Sequence, residues 1–268
     1  MAADMEDTDP RHPEILGITK LTGANAWKAA LPHSEPFHQL IWITRGQGLC
    51  VLDGRRRGLV ANTALLIPAG FLHLINIQPP CFGFVCRVPV SEAVEMPDGP
   101  ELVRVVDQKR QIGLSHLLEA MQQEEQDQEH GYMQALSAQA NLLLVLIRRA
   151  LQARDDAPRK PSAAQRKVTQ FAALVEQNFK SGDPMHRYAR EIGVTPTHLS
   201  RICKACTGIT SADILTGRVL HAARNRLENS RLPSKQIASE LGFNSAAYFS
   251  RFIQKHTGKT PTRLRKGI

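Results

Sequence analysis

Three sets of side chains in this 268-residue sequence have types and spacings that could do chemistry. The first is His33, Glu35, His38 and His73, imidazoles and a carboxylate of the kind that ligate a divalent metal or hold an organic anion. The second is a pair of arginines, Arg201 and Arg251, set in the matching contexts Leu199-Ser200-Arg201-Ile202 and Phe249-Ser250-Arg251-Phe252. A guanidinium can give two parallel hydrogen bonds to the O6/N7 edge of guanine, or it can clamp a phosphate. The third is Cys203-x-x-Cys206, a redox or zinc spacing with no second cysteine pair near it. Five cysteines are an odd number, too thinly spread for a disulfide scaffold, and read as reduced thiols.

Charge narrows the choice. Residues 1–158 carry 14 Lys/Arg against 19 Asp/Glu, a net of −5, whereas residues 159–268 carry 20 against 6, a net of +14. An excess of that size in the second part is the footprint of a polyanionic partner, because neutralising phosphates releases condensed counterions. Aromatics at 5% speak against a single-strand binder built on rows of stacking rings. The longest apolar run, Leu142 to Ile147, is far short of the roughly 20 residues of a membrane span. The acidic start MAADMEDTDPRHPE is unlike a secretory leader, so a cytoplasmic, nucleoid-associated protein is expected.

The elements that must position these groups fall into two parts. Residues 37–90 read as short strands: Leu40 to Thr44, a turn at Arg45-Gly46-Gln47-Gly48, Leu49 to Leu52, the hairpin turn Asp53-Gly54, a run from Leu59, Ala64 to Ile67, and Phe82 to Cys86. That spacing predicts a small antiparallel barrel or sandwich. The tract Arg55-Arg56-Arg57 reads as a solvated hairpin end. From Gln108 the period becomes helical. Ile112, Leu114, Leu117, Leu118 and Met121 mark one helix, and Met133 to Ala153 marks another. In the latter, Leu136, Ala140, Leu143, Ile147 and Ala150 step by four and three, a stripe that can cover the barrel or form a dimerisation seam. With Leu142, Leu144 and Leu146 on further sides the helix can do both, and dimerisation is the favoured reading.

The basic part contains an internal repeat. Ala189-Arg190-Glu191-Ile192-Gly193-Val194 returns as Ala238-Ser239-Glu240-Leu241-Gly242-Phe243, and Leu199 through Gly208 returns as Phe249 through Gly258. Each copy is a short helix stopped by glycine, one apolar residue, then a capped helix opened by Thr195-Pro196 or by Asn244-Ser245. Leu199, Ile202 and Cys203 in one copy, and Tyr248, Phe249, Phe252 and Ile253 in the other, sit at core spacing. Two helix-turn-helix units in tandem are predicted, each with a second helix fit for a major groove.

Residues 165–266 resemble the DNA-binding domain of the AraC/XylS family of bacterial transcription regulators. The match rests on Tyr188-Ala189 to Thr207-Gly208, on Arg218 and Ala222-Ala223-Arg224, and on Ile237 through Thr260-Pro261. The resemblance implies a connecting helix over about Ser211 to Glu228, and base-reading positions at Thr197, Ser200 and Arg201 with His198 nearby, then at Ala246, Ala247, Ser250 and Arg251. The capping residues Thr195 and Ser245 belong to the same surface. The N-terminal part resembles the cupin-type sensor of that family, through Pro32 to His38 leading to Gly46-Gln47-Gly48, and through Asn62 to Pro68-Ala69-Gly70-Phe71-Leu72-His73. That implies a small organic effector, for which a carboxylate would suit, lined by His33, His38, Trp42, Arg45 and His73, with no metal and no cofactor. Trp42 stands where metal-binding cupins place a glutamate.

The expected architecture is therefore α+β: an arm over 1–28, a cupin-like antiparallel barrel over 29–107, a helical dimerisation segment over 108–154, a linker over 155–164, and an all-α domain with two helix-turn-helix units over 165–268. The expected function is a homodimeric, effector-controlled activator acting through promoter DNA and RNA polymerase, not an enzyme and not a membrane protein. The rivals are a metal-dependent cupin enzyme carrying a DNA-binding tail, and an architectural DNA protein without effector control.

Overall fold

The computed structural model describes residues 10–92, 94–153 and 160–267. Half of the expected linker, 155–159, and the first nine residues of the expected arm lie outside them. No helix among the described residues is long and apolar enough to cross a membrane.

The N-terminal part is one six-stranded antiparallel sheet built from β1 (Glu14–Gly17), β2 (His38–Leu52), β3 (Arg55–Leu59), β4 (Thr63–Ile67), β5 (Leu74–Val88) and β6 (Glu101–Arg104). Its path runs β1-β5-β2-β4-β6 with β3 added on β2. Residues expected in a free arm contribute β1, which pairs with β5, and the short helix α1 (Ala26–Ala30).

The turn expected at Arg45 to Gly48 is absent. β2 runs straight through it for 15 residues against β5, with register shifts between Ile43 and Gln47. Gly46 and Gly48 look like turn punctuation because they are glycines, but their job is close approach. A Cβ on Gly46, at φ +118°, would lie 2.8 Å from the Cys81 sulfur, and one on Gly48 would lie 2.5 Å from the Asn76 carbonyl oxygen. The bulges let one long strand serve two partners, β4 on its first half and β3 on its second.

Strand alternation then sorts the core. Leu40, Trp42, Leu66, Cys86 and Val88 face α2 (Gln108–Asp127) and α3 (Tyr132–Gln152), while Ile41, Ile43, Leu52, Leu65 and Ile67 pack on the opposite face. Both faces of β4 are covered, which explains the apolar run Ala64 to Ile67 that follows its buried Thr63. The helix α2 starts at an Asp107 cap and runs on to Asp127 through the polar stretch. The spacing in α3 marks a buried stripe, and of its two possible partners, a cover over the sheet or a second copy, the structure shows the first. Leu136, Ala140, Leu143, Ile147 and Ala150 are all buried inside this chain, so they cannot form an intermolecular seam. Leu142 and Val145 are the large apolar side chains of α3's middle turns that face solvent, 48% and 40% exposed.

The C-terminal part is helical: α4 (Ala163–Asn178), α5 (Met185–Glu191), α6 (Pro196–Thr207), α7 (Ser211–Asn229), α8 (Ser234–Glu240), α9 (Ala246–Thr257) and α10 (Pro261–Arg265). Its core joins Phe171 and Val175 of α4 to Leu199 and Cys203 of α6, Ala223 and Leu227 of α7, and Phe249 and Ile253 of α9. The helix α4, opened by a Ser162/Gln165 capping box, was not marked by the repeat because it belongs to neither copy.

Candidate nucleic-acid interface and sensor seam

The pairs α5–α6 and α8–α9 are the two predicted helix-turn-helix units. Gly193 and Gly242 make the turns at φ +71° and +75°, a left-handed conformation that costs glycine little. The Thr195 and Ser245 hydroxyls accept hydrogen bonds from the backbone N–H of His198 and Tyr248, closing the first turn of α6 and α9. Gly208 and Gly258 end both helices in the left-handed region.

With Leu199, Ile202 and Cys203 turned inward, α6 presents Thr197, Arg201 and Lys204 outward, with Ser200 and His198 half-buried at the edge. The Arg201 guanidinium donates to His198 Nδ1 at 3.2 Å, which leaves the remaining N–H groups of that fork free. On α9, Ala247 and Arg251 are exposed, and Ala246 and Ser250 are half-buried. Tyr248, placed by its spacing in the core, is instead 55% exposed at the head of α9, 5.8 Å from the Phe243 ring. Its neighbour Phe249 takes the core position. Cys203 is helix core, its thiol pushed up to about 12 by burial, and so is not a thiolate nucleophile.

The frame behind the two helices is rigid. Arg218 of α7 donates Nε and Nη2 to the two carboxylate oxygens of Glu176 on α4 at 2.7 and 2.8 Å, and its guanidinium lies 3.8 Å from the Phe179 ring centroid. Burial pushes the Glu176 carboxyl up, but the Arg218 hydrogen bonds and charge outweigh it and hold the group below the usual carboxylate range. The second turn docks so closely that a Cβ on Gly242 would sit 2.4 Å from the Lys180 carbonyl oxygen. A crevice of about 240 Å³ opens beside it, lined by Tyr188, Val219, Phe243, Tyr248 and Phe252 among others.

The five expected effector-lining residues do not converge. Trp42 faces the helices, its Nε1 donating to Ser115 of α2 at 3.1 Å. His38 Nδ1 accepts from the Ala69 N–H. Arg45 is exposed, 6.0 Å from the Phe82 ring. His33 and His73 meet each other through a two-hydrogen-bond bridge of 2.9 and 2.8 Å, and they lie on the seam with the helical part.

That seam was invisible in the sequence. The His221 ring of α7 stacks on His33 at 4.7 Å and 16°, and His33 lies 4.3 Å from His73. The Arg224 guanidinium covers Trp27 at 3.9 Å, Pro32 fills the space over Gly217, and the Thr169 hydroxyl donates to Asp53 at 2.9 Å. The Nδ1–H groups of His33 and His73 donate to the Leu31 and Phe71 carbonyls, while Nε2 of His73 and of His221 is buried without a partner. Burial lowers all three imidazoles, His73 to about 4 and His221 to about 3, with the Arg218 charge adding to the effect. No group of three or more His, Cys, Asp or Glu among the described residues is placed to hold a metal.

Comparison with known proteins agrees with this layout. A profile described as an AraC-like ligand binding domain matches residues 18–146, and one described as a helix-turn-helix domain matches residues 188–267. The HTH-type transcriptional regulator YfiF of Bacillus subtilis is 23% identical over 254 residues, 88% of this chain and 78% of that protein. GlxA of Rhizobium meliloti is 34% identical over 116 residues, 41% of this chain and 36% of that protein. The arabinose operon regulatory protein of Escherichia coli is 26% identical over 130 residues, 47% and 43% of the two chains, so these last two alignments span less than half of those relatives. Among solved structures, unsaturated fatty acid-bound ToxT from Vibrio cholerae aligns over 97% of this chain and 98% of its own at 10% identity and a TM-score of 0.44. With an AraC-like ligand-binding part followed by an AraC-type helix-turn-helix part, the chain belongs to the AraC/XylS family of transcription regulators.

Proposed function

We propose that this regulator reads promoter DNA with the outward faces of α6 and α9, set in successive major-groove segments, and that an organic effector bound in the sheet domain controls it across the seam. The observation that carries this reading is the repeated geometry: two glycine-stopped, side-chain-capped helices, each with an exposed arginine at the same position, Arg201 and Arg251. In this reading Thr195, Thr197, His198, Ser200 and Arg201 form the first reading surface, and Ser245, Ala246, Ala247, Ser250 and Arg251 the second. The protein acts by binding and not by catalysis, as a cytoplasmic activator that meets RNA polymerase at the promoter.

Effector control is placed at His33 and His73, because these two of the expected lining residues touch the DNA-binding part through His221. A carboxylate arriving there meets the charges of Lys28 and Arg218, which act on His221, and competes with Glu176 for the Arg218 fork. Effector binding that differs between the closed and the open seam shifts the population of the two and so the presentation of the reading helices. A second copy docks on the outward row of α3, Ala138, Leu142 and Val145, in place of the buried stripe.

Competitive gel-shift binding to fragments of the source genome tests the reading. A small set of fragments is expected to survive excess competitor, and Arg201→Ala is expected to erase that selectivity, at about 1–3 kcal/mol of lost discrimination. Equal competition by all fragments, with no response to Arg201→Ala, would overturn it.

A further inference from the structure

We propose that the sheet domain itself forms part of the DNA-binding surface, with Arg56 of β3 contacting a backbone phosphate at the end of the site read by α6. This rests on the reading of α6 given above. Among the described residues the strand β3 pairs only with β2 and so is an edge, where charged residues discourage pairing with other chains. Edge protection accounts for a charged tract but not for where its middle member goes. The register places Arg55 and Arg57 opposite Leu52 and Cys50 of the sheet core, and Arg56 opposite Val51. Val51 lies on the face that meets Thr207, the last residue of α6, and Ile209 just beyond it.

Arg56 follows that face to the C-terminal end of the helix. A Cβ on Gly208 would lie 3.3 Å from Arg56 Cδ and 3.4 Å from Nη1. Gly208 in turn falls on the helical row Thr197, Arg201, Lys204, the outward side of α6. Arg56 therefore extends a line of positive charge, Arg201 then Lys204, past the end of the helix that carries it. A helix of 12 residues is about 18 Å long, more than the roughly 12 Å width of a major groove, so an end-to-end fit brings its far end level with the sugar–phosphate wall.

The hairpin is held in place to do this. Its turn is fixed to α4 by the Thr169–Asp53 hydrogen bond and by Gly54, where a Cβ would stand 3.1 Å from Val168. Arg56 is exposed, and among the described residues no carboxylate pairs with it. A fixed, unpaired guanidinium at the end of a basic row fits a phosphate oxygen.

The test measures affinity for a duplex carrying a fragment that survives competition, over a range of salt concentrations, for the full chain and its variants. Arg56→Ala is expected to weaken binding about fivefold near 0.15 M salt and to flatten the log–log salt slope by about one unit, with fragment selectivity unchanged. Arg56→Lys is expected to restore the slope, Arg56→Glu to weaken binding beyond the alanine variant, and Arg57→Ala, on the other strand face, to leave the slope as it is. If Arg56 merely caps α6 or braces the seam, affinity falls with an unchanged slope, and the proposal is overturned. An Arg56→Ala protein identical to wild type overturns it equally. Loss of selectivity in Arg201→Ala with an unaltered Arg56→Ala slope would sink this inference alone, whereas no selective fragment at all would sink the reading of α6 with it.

Discussion

The two helix-turn-helix units share a backbone and differ in what surrounds it. The first offers Thr197, His198 and Arg201 for hydrogen bonding and leans on the sheet domain, with Gly208 against Arg56 and α4 against the Asp53-Gly54 turn. The second offers Ala246 and Ala247, which cannot hydrogen-bond to a base, beside an exposed Tyr248, and its turn is wedged against the loop after α4 at Gly182 and Gly242. Identical scaffolds have thus been given different work. In the reading proposed above, the first unit carries the larger share of base discrimination and the contact with the sensor, while the second, with Arg251 its main polar group, adds mostly contact area and charge.

The two turn glycines offer the sharpest way to break that comparison. Both have positive φ, but a Cβ on Gly193 meets open space, whereas one on Gly242 meets backbone at 2.4 Å. Gly193→Ala should cost about 1 kcal/mol of stability, and Gly242→Ala about 3 kcal/mol or more, since backbone must move. Thermal melts of the two variants check this, and equal costs would show that the second turn is not wedged.

Next comes the seam, which the first unit touches directly. His73 and His221 titrate near 4 and 3 when closed and near 6.5 when released, so the closed seam favours the neutral rings. Its stability is fully present above pH 6.5 and is lost as pH falls from there toward 4. With two protons taken up on opening, the shift between pH 7.5 and 5.5 is about 100-fold, some 2.7 kcal/mol. Trp27 sits in the seam and Trp42 is buried elsewhere, so the emission of Trp27 should move over that range, less steeply in His221→Gln. A flat emission profile would show that the seam does not open.

The smallest expected effect sharpens the picture of the second unit. Tyr248→Ala should lower DNA affinity a few-fold, with a melting temperature close to wild type. Phe249→Ala, next to it and fully buried, should cost about 3–5 kcal/mol of stability. A Tyr248→Ala protein that binds normally would remove this ring from the DNA surface.

What was legible in the sequence was local. Gly193, Thr195, Gly242 and Ser245 specify their turns through caps and backbone handedness reaching only a few residues, and the structure has each where its spacing put it. The sheet was legible as antiparallel, but the turn read at Arg45 to Gly48 was a strand, because only β5, some thirty residues on, shows why those glycines are needed. On α3 the buried stripe was readable and its cover was not, since a heptad-like step is met equally well by a second helix or by a sheet. The seam left no signal at all. His221 lies far along the chain from His33 and His73, and a lone histidine in a helix carries no mark of what will stack on it.

Gly217 stands in the middle of α7, where glycine costs about 1 kcal/mol relative to alanine, and the Pro32 ring occupies the space its side chain would need. At 19 residues α7 is a rod of about 28 Å, and it fixes how far apart the two reading helices stand. The sensor is therefore seated on the protein's own ruler. In the reading proposed above, an effector that rocks the sheet domain about Pro32 moves it against the one helix that ties the two units together, and so bears on both of them at once.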